Sequence, residues 1–334
     1  GVYKPDGTSL ISRSTSSFET LNLPSLPVSG EYLVFVDPNY GSTATSKVTL
    51  TTGAGGGTEI DGGQGEFATT VPGQPIYMTF QATAGEQLGL GISDLAVSNG
   101  SYVSVAVYRP NGNTAASATC YVSDQGCALG INAVESGTYS VVTTPQSASQ
   151  TVQYKATLSR DLRIPVTRDV PLDLVIARRG QRARLGFNGE AGDTLSLQVA
   201  GQSTLPAGRS AYYRVLKPDG NSLDSFSATG HGSLEMRLPV SGAYQVLVEP
   251  RYGETLNSRV TLAVGNAQAV DGDPASVETS LGGQSVRATF QATAGQKLGI
   301  GVYDLSLSSG SYVNVAAYRP DGGLAASTSC YASQ

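Results

Sequence analysis

Cys120 and Cys127 stand together as CYVSDQGC, two of the three cysteines in the chain. A zinc site would need two more Cys or His ligands at metal spacing, and none lies there. The gap is too long for a redox CxxC pair. A disulfide closing a short ring is the preferred reading. By loop entropy it is worth roughly 2.5 kcal/mol, and it implies an oxidising compartment. Cys330 occupies the place of Cys120 one repeat later, so its partner is expected just past Gln334.

His231 is the only histidine, in the loop-like TGHGS. A hydrolytic triad needs a base beside a Ser or Cys and oriented by a carboxylate. One loop histidine among many serines is read as a solvated residue, and no catalytic set is assigned. Asp6, Asn111, Asp219 and Asp321 share one position in a recurring [YL][KR]P[DN]G. Pro presets φ and Gly tolerates positive φ, so these four are read as turn-structural. Asp94 and Asp304 are also equivalent, each in a Gly-rich stretch. Asp61, Asp271 and Asp273 sit in the joins between units, read as flexible, and are the calcium candidates, because calcium takes several oxygens from loops. No DxDxDG loop accompanies them, and no metal site or cofactor is assigned. GAGGG is not followed by GK[ST], so it is read as a hinge and not as a phosphate loop. Tyrosines could stack on sugars, but Trp is absent. Tyr32, Tyr139 and Tyr244 fall at strand starts, where they are expected to pack and bond to backbone.

These residues are carried by a repeat. Gly73 to Cys120 returns without a gap at Gly283 to Cys330, with 29 of 48 positions identical. A GQ dipeptide opens each unit at Gly73, Gly180 and Gly283. An aromatic then leads into an AGxxL turn, at Phe80, Phe187 and Phe290. Segments such as Tyr102 to Tyr108 alternate polar and apolar, the mark of a half-buried strand. Each unit closes on a Gly-Tyr strand, a polar turn and a last strand, as in LPVSGAYQVLVEPRYGETLNSRVTL from Leu238; that is a β-hairpin. No window holds a helical period. Like positions recur near 210 residues apart, so the repeat is a pair of modules, each of β-sandwich size.

The expected fold is all-β, a tandem array of Ig-like or jelly-roll-like antiparallel β-sandwiches with a two-domain repeat. Residues 1–52 would be the C-terminal half of one sandwich, 53–66 a Gly-rich linker, and 67–160 a sandwich with the Cys pair. Residues 161–265 would be a further sandwich, 266–276 a linker, and 277–334 the N-terminal half of another. The join from Arg160 to Arg179 alternates and is read as an extended, strand-forming link. Both ends fall mid-repeat, so the sequence is read as a window on a longer array. The 334 residues carry a net charge of -5, which disfavours a nucleic-acid partner. No apolar run reaches the roughly 18 residues a membrane span needs.

The pattern GQ…F.ATAG..L…[KR]P[DN]G…LP.SG.Y.V.V.P…TL resembles the repeated β-sandwich modules of large secreted bacterial proteins. It is similar to pre-peptidase C-terminal domains and to repeats upstream of RHS/YD-repeat proteins. The resemblance implies a secreted or cell-surface location and a spacer, adhesive or assembly role, with no catalytic residues to carry over. The first expectation is therefore a non-catalytic structural segment of a stalk or fibre, partnered by itself or by neighbouring copies. The alternatives are an adhesin repeat holding glycan or calcium, and accessory repeats of a larger secreted enzyme or toxin.

Overall fold

The computed structural model of the chain describes residues 1–15, 21, 23, 26–48, 50, 54–264, 266–279 and 285–332. The protein is all-β, and two single-turn 3-10 segments are the only helical turns among the described residues. Two compact units divide it. The first comprises Gly1–Leu162, Ile176–Arg182 and Pro250–Thr255; the second comprises Arg163–Val175, Ala183–Glu249 and Leu256–Gln334.

The first unit opens with β1 (Val2–Tyr3), β2 (Ser9–Ile11) and β3 (Leu33–Val34), which form a small sheet in the order β2-β1-β3. An antiparallel β-sandwich follows. Its strands are β4 (Ala54–Gly57), β5 (Gly65–Ala68), β6 (Ile76–Ala82), β7 (Gln87–Val97) and β8 (Tyr102–Tyr108). Then come β9 (Thr114–Tyr121), β10 (Gly126–Asn132), β11 (Gly137–Pro145) and β12 (Val152–Arg160). One sheet has the order β4-β6-β11-β8-β9, the other β10-β7-β12-β5. Alternation sets the inner faces: along β8, Val103, Val105 and Val107 are buried while Ser104 is exposed. Met78 and Phe80 from one sheet meet a core that includes Leu88, Leu90 and Ile92 from the other. Cutting one such side chain to Ala removes about 2–5 kcal/mol, because a close-packed interior collapses only in part.

Of the segment 53–66, expected to be a flexible linker, the described residues 54–66 are built into this sandwich. Ala54–Gly57 pairs parallel with β6, Ala54 opposite Ile76 and Gly57 opposite Thr79. A Cβ on Gly55 would collide with the Tyr77 backbone, so glycine here permits a close approach of two strands. The Asp61 N–H donates to the Leu158 carbonyl at 2.9 Å, and Gly65–Ala68 pairs with β12. Composition alone suggested slack because glycines carry no side-chain alternation to read. The expected boundary at 52/53 lies outside the described residues.

The second unit repeats the plan. Its sandwich strands are β13 (Leu162–Pro165), β14 (Leu172–Ile176), β15 (Ala183–Gly189), β16 (Thr194–Leu205) and β17 (Ala211–Leu216). They continue with β18 (Ser222–Ala228), β19 (Gly232–Arg237), β20 (Gly242–Pro250) and β21 (Thr255–Ala263). The sheets run β13-β15-β20-β17-β18 and β14-β21-β16-β19. The join from 160 to 179 thus supplies the first strand of each sheet. Its hydrogen bonds match those of the first sandwich. Val166 N–H reaches Gly186 O as Thr58 N–H reaches Thr79 O, both at 2.8 Å. Asp169 N–H reaches Leu262 O at 2.9 Å, as Asp61 does with Leu158.

Four further strands follow: β22 (Asn266–Ala267), β23 (Ala288–Thr289), β24 (Tyr312–Tyr318) and β25 (Leu324–Tyr331). Asn266 and Ala267, at the start of the expected 266–276 linker, pair parallel with Ala288 and Thr289, just as Gly56 and Gly57 pair with Met78 and Thr79. β24 and β25 copy the register of β8 and β9, Tyr312 opposite Tyr331 as Tyr102 is opposite Tyr121, with the same bulge before the final tyrosine. Gly283, the last GQ, lies outside the described residues.

Candidate functional site

Cys120, the last residue but one of β9, stands opposite Val103, and Cys127 stands on β10 opposite Ile92. They are joined by a disulfide with a Cα–Cα separation of 5.2 Å. Because β9 and β10 belong to different sheets, this bond staples one layer of the sandwich to the other. The connection makes a 3-10 turn at Val122–Asp124, then passes through Gln125 at φ 63°. Both cysteines are buried. Cys330 sits opposite Val313 on β25, as Cys120 sits opposite Val103, and has no disulfide partner among the described residues.

The four turn residues share one geometry. Asp6 Oδ1 accepts the Thr8 N–H, Asn111 Oδ1 that of Asn113, Asp219 Oδ1 that of Asn221 and Asp321 Oδ1 that of Gly323, each at 2.9 Å. In each turn the Gly N–H closes on the carbonyl three residues back, for example Gly220 on Lys217 at 2.9 Å. Side chains tied into their own turn in this way fix a corner and are not aimed at a ligand.

The calcium candidates occupy repeated corners. Asp61 and Asp271 both adopt positive φ, 62° and 56°. Asp61 is committed within its own sandwich: Oδ1 accepts the Arg160 N–H at 2.9 Å and Oδ2 pairs with Arg160 Nη1 at 2.8 Å. The same guanidinium reaches Glu86 Oε1 through Nη2 at 2.8 Å, so one arginine bridges two acids. Partial burial opposes ionisation of Asp61 and of Glu86. The Arg160 N–H and guanidinium outweigh it at Asp61, and the Thr83 N–H with the same guanidinium outweighs it at Glu86. Both carboxyls are held below their ordinary range. Asp273 offers its backbone carbonyl to Gln268 Nε2 at 2.7 Å. Among the described residues, no three His, Cys, Asp or Glu gather as a metal cluster. Asp94 and Asp304 likewise share positive φ, 53° and 51°; Asp94 sits beside a bulge in β7 and β12 and pairs with Lys155 at 3.1 Å.

His231 is exposed before β19 and forms no hydrogen bond or ion pair with another described residue. Two arrangements of tyrosines recur. Tyr32, Tyr139 and Tyr244 each donate a hydroxyl to the carbonyl four residues upstream, at Val28, Glu135 and Val240, over 2.7, 3.0 and 2.6 Å. This is the tyrosine corner of sandwich folds. Phe80 and Phe187 stack on Tyr139 and Tyr244, each at 5.4 Å between centroids. Tyr102 and Tyr121 instead pair on an outer face at 5.9 Å, repeated by Tyr312 and Tyr331 at 5.5 Å.

Two features escape a reading of the sequence. The loop Ile176–Arg182 lies against β7, where a Cβ on Gly89 or Gly91 would strike the backbone of Arg179 and Gly180. Arg182, from that loop, lies over Gly130 and makes a bidentate pair with Asp161, both nearly excluded from water. Glu254 is also fully buried, and its carboxylate accepts the N–H groups of Arg251 and Tyr252 at 3.0 and 2.6 Å. Local patterns carry no signal for either, since the partners come from separate strands or from a turn of irregular spacing.

No known family model and no curated protein matches the sequence. Several solved structures resemble parts of it at great distance. A periplasmic inhibitor of g-type lysozyme from Aeromonas hydrophila is 15% identical, with 30% of this chain and 96% of that chain covered, at a TM-score of 0.24. The N-terminal tandem CBM22 domains of a Paenibacillus barcinonensis protein are 9% identical over 59% of this chain and 86% of that chain, at 0.21. The CUB1-EGF-CUB2 domains of rat MASP-1 are 8% identical over 60% and 99%, also at 0.21.

Proposed function

We propose that this chain is a non-catalytic structural segment of an extracellular or cell-surface bacterial protein, a run of β-sandwich modules that serves as stalk or fibre. The observation that carries the reading is the repetition of backbone register. Tyr102 to Tyr121 and Tyr312 to Tyr331 pair identically across 210 residues, down to the bulge. What is copied is the means of building a sandwich: turn caps, tyrosine corners, glycine close approaches and cysteines. The inter-sheet disulfide supports an oxidising location outside the cytoplasm. The resemblance to secreted bacterial repeat modules supports the same reading.

Single-molecule force spectroscopy tests it. A spacer made of self-contained modules should give separate unfolding events, each releasing about 35 nm for roughly 105 residues at their extended spacing. Reduction of the disulfide should lengthen one of them by the few residues held in its ring. A single event that spans both complete sandwiches, or steady turnover of a substrate by the isolated chain, would overturn the reading.

A further inference from the structure

β9 lies at the edge of its sheet and pairs with β8 alone. An open edge is a template for another chain, and folded proteins blunt it with charge, proline or shortness. The other sandwich edges follow that rule. β4 is four residues long, and β13, equally short, holds Arg163 and Pro165. β5 carries Glu66, β14 carries Asp173, and β19 carries Glu235 and Arg237. Gly130 of β10 lies under the Arg182 guanidinium. β18, which holds the place of β9 in the second unit, sets an exposed Asp224 opposite Val215, where β9 has Ala116 opposite Val107. β9 itself reads TAASATCY, eight residues with no charge and no proline. β25 repeats this as LAASTSCY.

A bulge beside Val107 and Tyr108 leaves 116–121 as the regular run of β9. That run complements itself. Ser117, Thr119 and Tyr121 are exposed on the outer face, while Cys120 is buried on the inner one. Antiparallel partners share a face, so two copies can meet about Thr119 with neither face inverted. Thr119 then stands opposite Thr119, and Tyr121 opposite Ser117. Within one copy Ser117 pairs with Ala106, and Thr119 with Ser104. The Tyr121 ring of each copy therefore lies beside two small side chains of the other, and the middle row is four hydroxyls, pairs that suit a sheet. The disulfide at Cys120 holds the strand to the facing layer, so little ordering remains to be done on pairing. β25 has the same parts: Ser329 opposite Asn314, and Tyr331 in register to meet Ser327, whose own partner is Ala316.

We propose that β9 is a self-association edge, whose partner is the same strand of a second copy of this chain, paired antiparallel about Thr119, and that β25 pairs likewise about Ser329. The contact is isologous, and two such edges in one chain let association continue past a pair. This deepens the stalk-or-fibre reading and rests on it for its use: the copies join side by side through the modules that carry cysteine. The experiment is sedimentation velocity of the full chain over roughly 1 µM to 1 mM, the range in which exposed strand edges associate. Every chain carries Cys330→Ser, so that no disulfide links two copies. One variant adds Thr119→Lys with Ser329→Lys, a second Thr119→Glu with Ser329→Glu.

The chain with native residues at 119 and 329 should gain mass with concentration. Each charged variant should associate at least tenfold more weakly, because two like charges meet at the centre of the pair. Both positions are exposed, so the melting temperatures should stay the same. An equimolar mixture of the Lys and Glu variants should recover the association, since only this register sets opposite charges face to face. A single-chain mass at every concentration, undiminished association of the Lys variant, or a mixture no better than its components would each overturn the proposal; the last would mean that another surface or register joins the copies. A single-chain mass together with separate unfolding events under force would remove the pairing and leave the stalk reading standing.

Discussion

Arg182 and Asp161 face each other through two parallel hydrogen bonds, Nε to Oδ1 and Nη2 to Oδ2, both at 3.0 Å. The Asp161 side chain is wholly shielded from solvent and that of Arg182 retains 9% exposure. A buried charge without its counterpart is far worse than no charge. Arg182→Ala should therefore cost about 3–5 kcal/mol in urea unfolding. The double change Arg182→Met with Asp161→Leu should cost much less, since the pair repays its own desolvation only in part. A single variant no worse than the double one would contradict this account.

The bond between Cys120 and Cys127 ties an edge strand of one sheet to an edge strand of the other. Replacing both with Ser should lower stability by about 2.5 kcal/mol and the melting temperature by roughly 10 °C. Calorimetry of the wild type with and without reductant should reproduce the same difference. Only the transition of the first unit should move.

Each tyrosine corner holds a sharp entry into a central strand. Tyr139→Phe and Tyr244→Phe keep the ring stacks on Phe80 and Phe187 but strand the carbonyls of Glu135 and Val240. Each variant should lose about 1–2 kcal/mol by denaturant unfolding. Similar losses in both sandwiches are expected because the bonds are equivalent.

Asp61 and Glu86 share Arg160, and both carboxyls titrate lower in the folded chain than in the unfolded one. The sign follows from linkage: the unfolded state binds more protons, so their stabilisation is complete above the ordinary carboxylate range and fades as pH falls through it. Melting temperature should drop as the medium is taken below about pH 4. Arg160→Gln should flatten that part of the profile. A variant with an unchanged acid limb would show that these groups do not contribute.

What could be read in the sequence was local. Asp219 reaches an N–H two residues ahead and Tyr244 a carbonyl four behind, so turn and corner fit within a short word of sequence. Strand alternation shows the layered all-β fold because one face of each strand must avoid water. The strand at Ala54–Gly57 was hidden, since its pairing depends on the absence of side chains. Arg182 and Asp161 are separated by 21 residues and meet only once a loop folds back on β7.

The parallel pairing of Ala54–Gly57 also bears on survival outside a cell. A protease must draw several residues of free backbone into its cleft, and a glycine-rich join is where it would ordinarily succeed. Here that backbone is hydrogen-bonded into a sheet beside Ile76–Ala82. The stretch whose composition most invites cleavage is thereby withheld, and digestion must wait for the module itself to open.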